Sequence, residues 1–171
     1  MADQVKINDN AGALELLKRQ LVVDTLGTFG RIRLQVTGSS MLPAVWPGDI
    51  LSVCHSEIAH VAVKDIVLSE RQGRLCAHRV VDKIAGADSD CLITCGDRLS
   101  VDDPPVFAHE LLGRVTLIQR NGSHIDPRAG LSTGWRILSV ILSRSALATR
   151  LMLHLIASRR SAAPEGASWA V

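Results

Sequence analysis

Gly38-Ser39-Ser40-Met41-Leu42-Pro43, followed at once by Trp46-Pro47-Gly48-Asp49, holds the residues best placed to do chemistry. Ser40 lies between an alternating apolar run (Ile32, Leu34, Val36) and a proline-glycine turn. A strand end of that kind exposes the hydroxyl at a rigid corner and leaves turn amides free to face a ligand. A serine that attacks carbonyls needs such a corner, amide donors for the oxyanion, and a base within hydrogen-bond reach. The segment offers the first two. The base must be one of the six histidines.

His78 is the best framed of them, within Arg74-Leu75-Cys76-Ala77-His78-Arg79-Val80-Val81, which reads as a strand. Downstream, Ile93-Thr94-Cys95-Gly96-Asp97-Arg98-Leu99-Ser100-Val101-Asp102-Asp103-Pro104-Pro105 reads as a strand entering an acidic loop stopped by prolines. Serine, histidine and three aspartates form a complete set of parts for base-assisted nucleophilic catalysis.

Taken together, Ser-Met-x-Pro with Gly-Asp, then His-Arg-Val, then Gly-Asp-x-x-x-x-Asp-Asp resembles the signal peptidase I family. The likeness is to the archaeal and endoplasmic-reticulum subtype, which uses histidine where the usual bacterial enzymes use lysine. It covers roughly residues 31–120, with all three motifs in order. The resemblance implies Ser40 as nucleophile, His78 as general base and Asp103 as the carboxylate that orients the imidazole. It implies supporting roles for Asp97 and Asp102, and a structural one for Asp49. The family usually has a hydroxyl residue two positions before the nucleophile to help hold the oxyanion. Here that position is Gly38, and a hydroxyl follows one place later as Ser39. Losing one such donor typically costs about 2.7–4 kcal/mol of transition-state stabilisation.

The activity implied is a serine endopeptidase that cleaves signal or leader peptides after a small residue, with the substrate bound as an extended strand at a sheet edge. A partner class follows: an extended peptide or preprotein, with a peripheral membrane or membrane-protein partner for a chain that shows no anchor of its own. Neither a cofactor nor a metal is called for. Two other readings stand beside it. One is a non-catalytic peptide-binding module in which Gly38 marks a lost oxyanion hole. The other is a self-processing repressor, which needs a DNA-binding helix pair and usually a lysine base.

Composition narrows the elements that must position these groups. Of 171 residues 47% are apolar but only 3% aromatic, with no tyrosine, so the core must be built from Val, Leu, Ile and Ala. A net charge of +2 makes no case for nucleic acid, and no nucleic-acid-binding motif is present. Cys91 and Cys95 are four residues apart in an expected strand, about 13 Å, too far for a disulfide. All four cysteines are expected as free, mostly buried thiols.

Strands are expected at 31–37, 50–54, 65–70, 74–83, 91–95 and 113–120, with Gln72-Gly73 as a hairpin turn. The fold class expected is therefore mainly β, and the resemblance implies the coiled multi-sheet core of signal peptidases. Residues 1–30 read as an N-terminal helical segment, with an amphipathic helix over 13–29 capped at Asp9 or Asn10. Its stripe of Leu14, Leu17, Leu21 and Leu26 is expected to pack on the core. Residues 121–134 read as a linker, 135–160 as an amphipathic C-terminal helix and 161–171 as a disordered tail. In that C-terminal helix a basic arc of about 140° (Arg136, Arg144 and Arg150 among its residues) faces a wide apolar one. Two internal arginines cost about 2.5–3.5 kcal/mol each at mid-membrane, which disfavours a span. An interfacial helix or packing on protein fits the pattern. No secretory signal is visible in the polar residues 1–10, so the location expected is cytoplasmic or peripheral to a membrane. His55, His60, His109 and His124 are expected to be solvated, Asp65 structural, and Arg79 engaged in charge pairing on the face opposite His78.

Overall fold

The computed structural model describes residues 2–86 and 89–128. The C-terminal helix and tail expected over 135–171 lie outside the described residues, as does the later part of the expected linker. Among the described residues one α-helix leads into eight strands, all paired antiparallel, with a single 3-10 turn at Ile58–His60. They are α1 (Ala2–Phe29), β1 (Arg31–Gln35), β2 (Ile50–His55), β3 (Ile66–Arg71), β4 (Arg74–Ile84), β5 (Cys91–Cys95), β6 (Val106–Phe107), β7 (Leu111–Arg120) and β8 (Ser123–Ile125). Spatial order is β1-β2-β7-β3-β4-β5-β6, with β8 paired to β7. Strand β7 is central: it pairs with β2 along one edge, and with β3 and then β8 along the other.

The period-2 alternation of β3 shows how the sheet is covered. Ile66 and Leu68 join Leu51, Val53, Val115, Ile118 and the helix residues Val22 and Leu26 in one apolar cluster. Val67, between them in sequence, joins Val80, Leu92, Val106 and Leu111 in a second cluster. Buried on both faces, β3 reads as a continuous apolar run at its start, and β-branched residues suit that pleated surface.

Six of the strands stand where the sequence pattern puts them, within a few residues at each end. Gln72 and Gly73 turn with positive φ (49° and 75°), as a tight hairpin matched to strand twist requires, and this sets Val67 opposite His78. The short β6 and β8 are additions. Strand β8 falls inside the stretch expected as a linker, because Asn121-Gly122 makes a second hairpin turn of the same kind. Asn-Gly is the strongest short hairpin signal, and it was present in the sequence.

The helix differs in two respects. It runs from Ala2, through Asp9 and Asn10, so neither caps it. Asp and Asn disfavour a helix interior by only tenths of a kcal/mol and do not force a start. Of the expected apolar stripe only Leu26 packs on the core; its other three members point away from it. Leu14, Leu17 and Leu21 are 52%, 67% and 64% exposed, whereas Val22 and Leu26, one turn apart, are buried against the sheet. Arg19 pairs with Glu70 of β3 on that packed side. Helical periodicity identifies a stripe, but which stripe meets the sheet depends on how the chain leaves the helix at Gly30 (φ 67°). Among the described residues no helix is long and apolar enough to cross a membrane.

Candidate active site

Three elements converge on Ser40. The residue follows β1 and sits at the head of a turn closed by the Leu42 amide donating to the Ser39 carbonyl (3.3 Å). Met41 and Leu42 are buried, so the turn is pinned from within while Ser40 itself is half-buried. Beyond it Asp49, almost wholly buried, accepts from the Trp46 amide (2.8 Å) and from the Arg120 guanidinium (2.7 Å). Arg120 also donates to the Ala44 carbonyl (2.8 Å) and lies over the Trp46 ring. A buried carboxylate is tolerable only with such partners. The structural role expected for Asp49 is therefore to tie the turn after Ser40 to β7, through an arginine that the sequence pattern did not single out.

Strand β4 supplies His78 and the loop after β5 supplies Asp103. Nδ1–H of His78 donates to Asp103 Oδ2 (2.6 Å), and the hydroxyl of Ser40 donates to His78 Nε2 (3.0 Å). These roles follow from the carboxylate, which only accepts: it fixes the proton on Nδ1 and leaves Nε2 free to accept from serine. The His78 side chain is 12% exposed and that of Asp103 25%, so the relay is largely sheltered from water. The three residues that the sequence picked out, 38 and 25 positions apart, are thus brought within hydrogen-bond reach.

The other expected site residues divide. Asp97 does not touch the relay. Its carboxylate takes both Nε and Nη2 of Arg79 (2.7 and 2.8 Å), on the face of β4 opposite His78. Arg79 also donates to the carbonyls of Lys64 and Pro127, so the pair knits the loop base to the sheet. Asp102 is exposed and lends its charge to the surroundings of the Cys95 thiol, which donates to the Gly96, Leu99 and Val101 carbonyls. Ser39 accepts from Arg98 (3.3 Å), and Gly38 is exposed with open space around it. No backbone carbonyl among the described residues accepts the Ser40 amide, which leaves that amide available as one oxyanion donor.

Three residues matter here to which no sequence motif assigns a role. Gly96 sits so close to the chain before it that a Cβ would stand 2.8 Å from the Ser40 carbonyl oxygen. Two residues on, the Arg98 amide donates to that same oxygen (2.9 Å). The loop after β5 therefore grips the backbone of Ser40. Thr94, buried in β5, donates its hydroxyl to Asp103 Oδ2 (2.7 Å). No motif marks a strand threonine as a partner of a carboxylate nine residues away.

Thiols close to the site are poor competitors for the serine. Burial pushes Cys76 above its ordinary value, and the nearby Asp103 charge adds to the shift. Burial likewise raises Cys95, with Asp102, Asp103 and Asp97 adding negative charge around it. A protonated thiol is a weak nucleophile. Among the described residues no three His, Cys, Asp or Glu side chains gather as a metal site requires. A cavity of about 280 Å³ lined by Asp65, Arg114, Thr116 and Arg128 among others includes none of the relay residues. His55, His60, His109 and His124 are exposed. No protein-family model matches the chain, and no curated protein matches it.

Proposed function

We propose that this protein is a serine endopeptidase of the signal-peptidase type. The observation that carries the reading is the continuous relay from Ser40 Oγ through His78 to Asp103, with separations of 3.0 and 2.6 Å. Ser40 attacks the scissile carbonyl as His78 Nε2 takes its proton. The Ser40 amide donates to the oxyanion that forms. The protonated imidazole, steadied by Asp103, then gives the proton to the leaving amine. Water, activated by the same histidine, hydrolyses the acyl-enzyme and frees Ser40.

On this reading the antiparallel sheet is the signal-peptidase core, and the substrate is a leader or signal peptide with a small residue before the cut. It adds as an extended strand beside the serine-bearing segment. The basic, apolar segment over 135–160 brings the enzyme to an anionic membrane surface.

Covalent labelling with a serine-directed acylating probe tests the chemistry. Wild type labels, Ser40→Ala does not, and His78→Ala labels at a small fraction of the wild-type rate. In peptide cleavage the double variant is little worse than either single one, because both belong to one proton-transfer unit. Equal labelling of wild type and Ser40→Ala would sink the proposal.

Gly38 favours one second reading, a peptide-binding module that has lost catalysis. It predicts that a peptide with small residues at the expected cleavage positions binds and stays intact.

A further inference from the structure

Thr94 holds Asp103 at two points. Its hydroxyl donates to Asp103 Oδ2 (2.7 Å), the oxygen that also accepts from His78 Nδ1–H. Its carbonyl accepts the Asp103 amide (2.7 Å), which folds the loop over residues 95–102 back onto β5. Thr94 lies opposite Val80 in the β4–β5 ladder, and Val80 is two residues from His78, so threonine and histidine face the same side of the sheet. The hydroxyl is shut away from water, at 2% residue exposure, and Asp103 is its side-chain partner.

A carboxylate held only by a histidine can turn about its terminal torsion, which is broad and roughly two-fold. A second donor on the same oxygen removes that freedom. Threonine suits the task because its branched Cβ restricts χ1, so its hydroxyl is aimed before the carboxylate arrives. We propose that Thr94 is a positioning residue whose hydroxyl locks Asp103 Oδ2 onto His78 and thereby sets the tautomer that lets Nε2 accept from Ser40. As an account of turnover, this rests on the peptidase reading above; as an account of the imidazole, it does not.

Thr94→Val removes the hydroxyl at nearly constant shape, and Thr94→Ser keeps it. Thermal melts establish that each variant is folded, with Thr94→Ala replacing valine if that side chain is not accommodated. Long-range proton–nitrogen NMR spectra of the neutral His78 ring report which nitrogen carries the proton. Wild type and Thr94→Ser should show the Nδ1–H form, and Thr94→Val a mixture shifted toward Nε2–H. Cleavage of a leader peptide should fall about 10–100-fold in kcat for Thr94→Val, with KM little changed, and be largely restored in Thr94→Ser. The proposal is overturned if Thr94→Val keeps the Nδ1–H form, or if serine behaves like valine. Should the tautomer shift while wild type neither cleaves peptide nor acylates, the clamp stands and the peptidase reading falls.

Discussion

The relay depends on which of two adjacent aspartates meets the histidine. Asp103 accepts from His78, while Asp102 is exposed beside Cys95. Asp103→Asn should therefore cut kcat severely, by up to about 10⁴ if the amide imposes the wrong tautomer. Asp102→Asn should leave it within a few-fold. Turnover of one peptide by both variants checks the order, and the reverse ranking would reassign the orienting carboxylate. Gly38 yields a prediction of opposite sign. A Cβ there would meet nothing within 4 Å, so a serine fits without strain. If its hydroxyl supplies the second oxyanion donor, Gly38→Ser should raise kcat, by as much as about 10²–10³ for a complete donor. An unchanged kcat would show that the single amide, or another group, already suffices.

At the scale of elements, the loop after β5 and the end of α1 do the positioning. The Ser40 carbonyl and the Leu99 side chain leave no room for a methyl at Gly96. Gly96→Ala should push the loop from Ser40 and lower both stability and the labelling expected at Ser40, as melting and probe kinetics would show. In α1 the packed residues are Val22 and, of the expected leucine stripe, Leu26 alone. Leu26→Ala should cost about 2–5 kcal/mol, the usual range for emptying a buried leucine site. Leu17→Gln, at an exposed position, should stay within about 0.5 kcal/mol. Urea unfolding of the two variants distinguishes this packing from the one that periodicity suggests.

At the scale of the molecule, acids joined to arginines, the buried Asp65 and the half-buried Glu110, contribute to the response to pH. Burial alone would raise the Asp65 carboxyl, but the Arg128 hydrogen bond, the Ala62 amide and the Arg128 and Arg114 charges outweigh it, and the net shift is below its ordinary 3.8. Glu110 follows the same pattern: burial raises it, and Arg71 with the Phe107 amide brings it below its ordinary 4.5. A carboxyl lowered on folding binds fewer protons folded than unfolded. Its contribution is therefore complete above the unfolded value and is lost as pH falls through the folded one. The urea midpoint should hold near neutrality and decline below about pH 4–5. Asp65→Asn should lower the midpoint at neutral pH and flatten the acid decline. A variant whose midpoint falls with acid as steeply as wild type would remove Asp65 from that account.

The sequence by itself determined the strand run and the Gln72-Gly73 hairpin, and it singled out Ser40 and His78. These rest on short-range rules: alternation fixes which residues share a face, turn residues fix where the chain reverses, and a histidine in a strand is visible as such. It also contained the Asn121-Gly122 signal for β8, so that element was legible though not read. Tertiary structure alone decided the rest. The family resemblance had already pointed to Asp103, but the pairing of Asp97 with Arg79 and of Asp49 with Arg120, and the buried donation from Thr94, each join residues of different segments. The same holds for α1, where Leu14, Leu17 and Leu21 of the expected stripe face away from the sheet and only Leu26 meets it. Local pattern records which groups are available. Which of them meet is set by the register of strands against one another and by the direction in which each connection leaves its element, and neither is written in the spacing of residues along one segment.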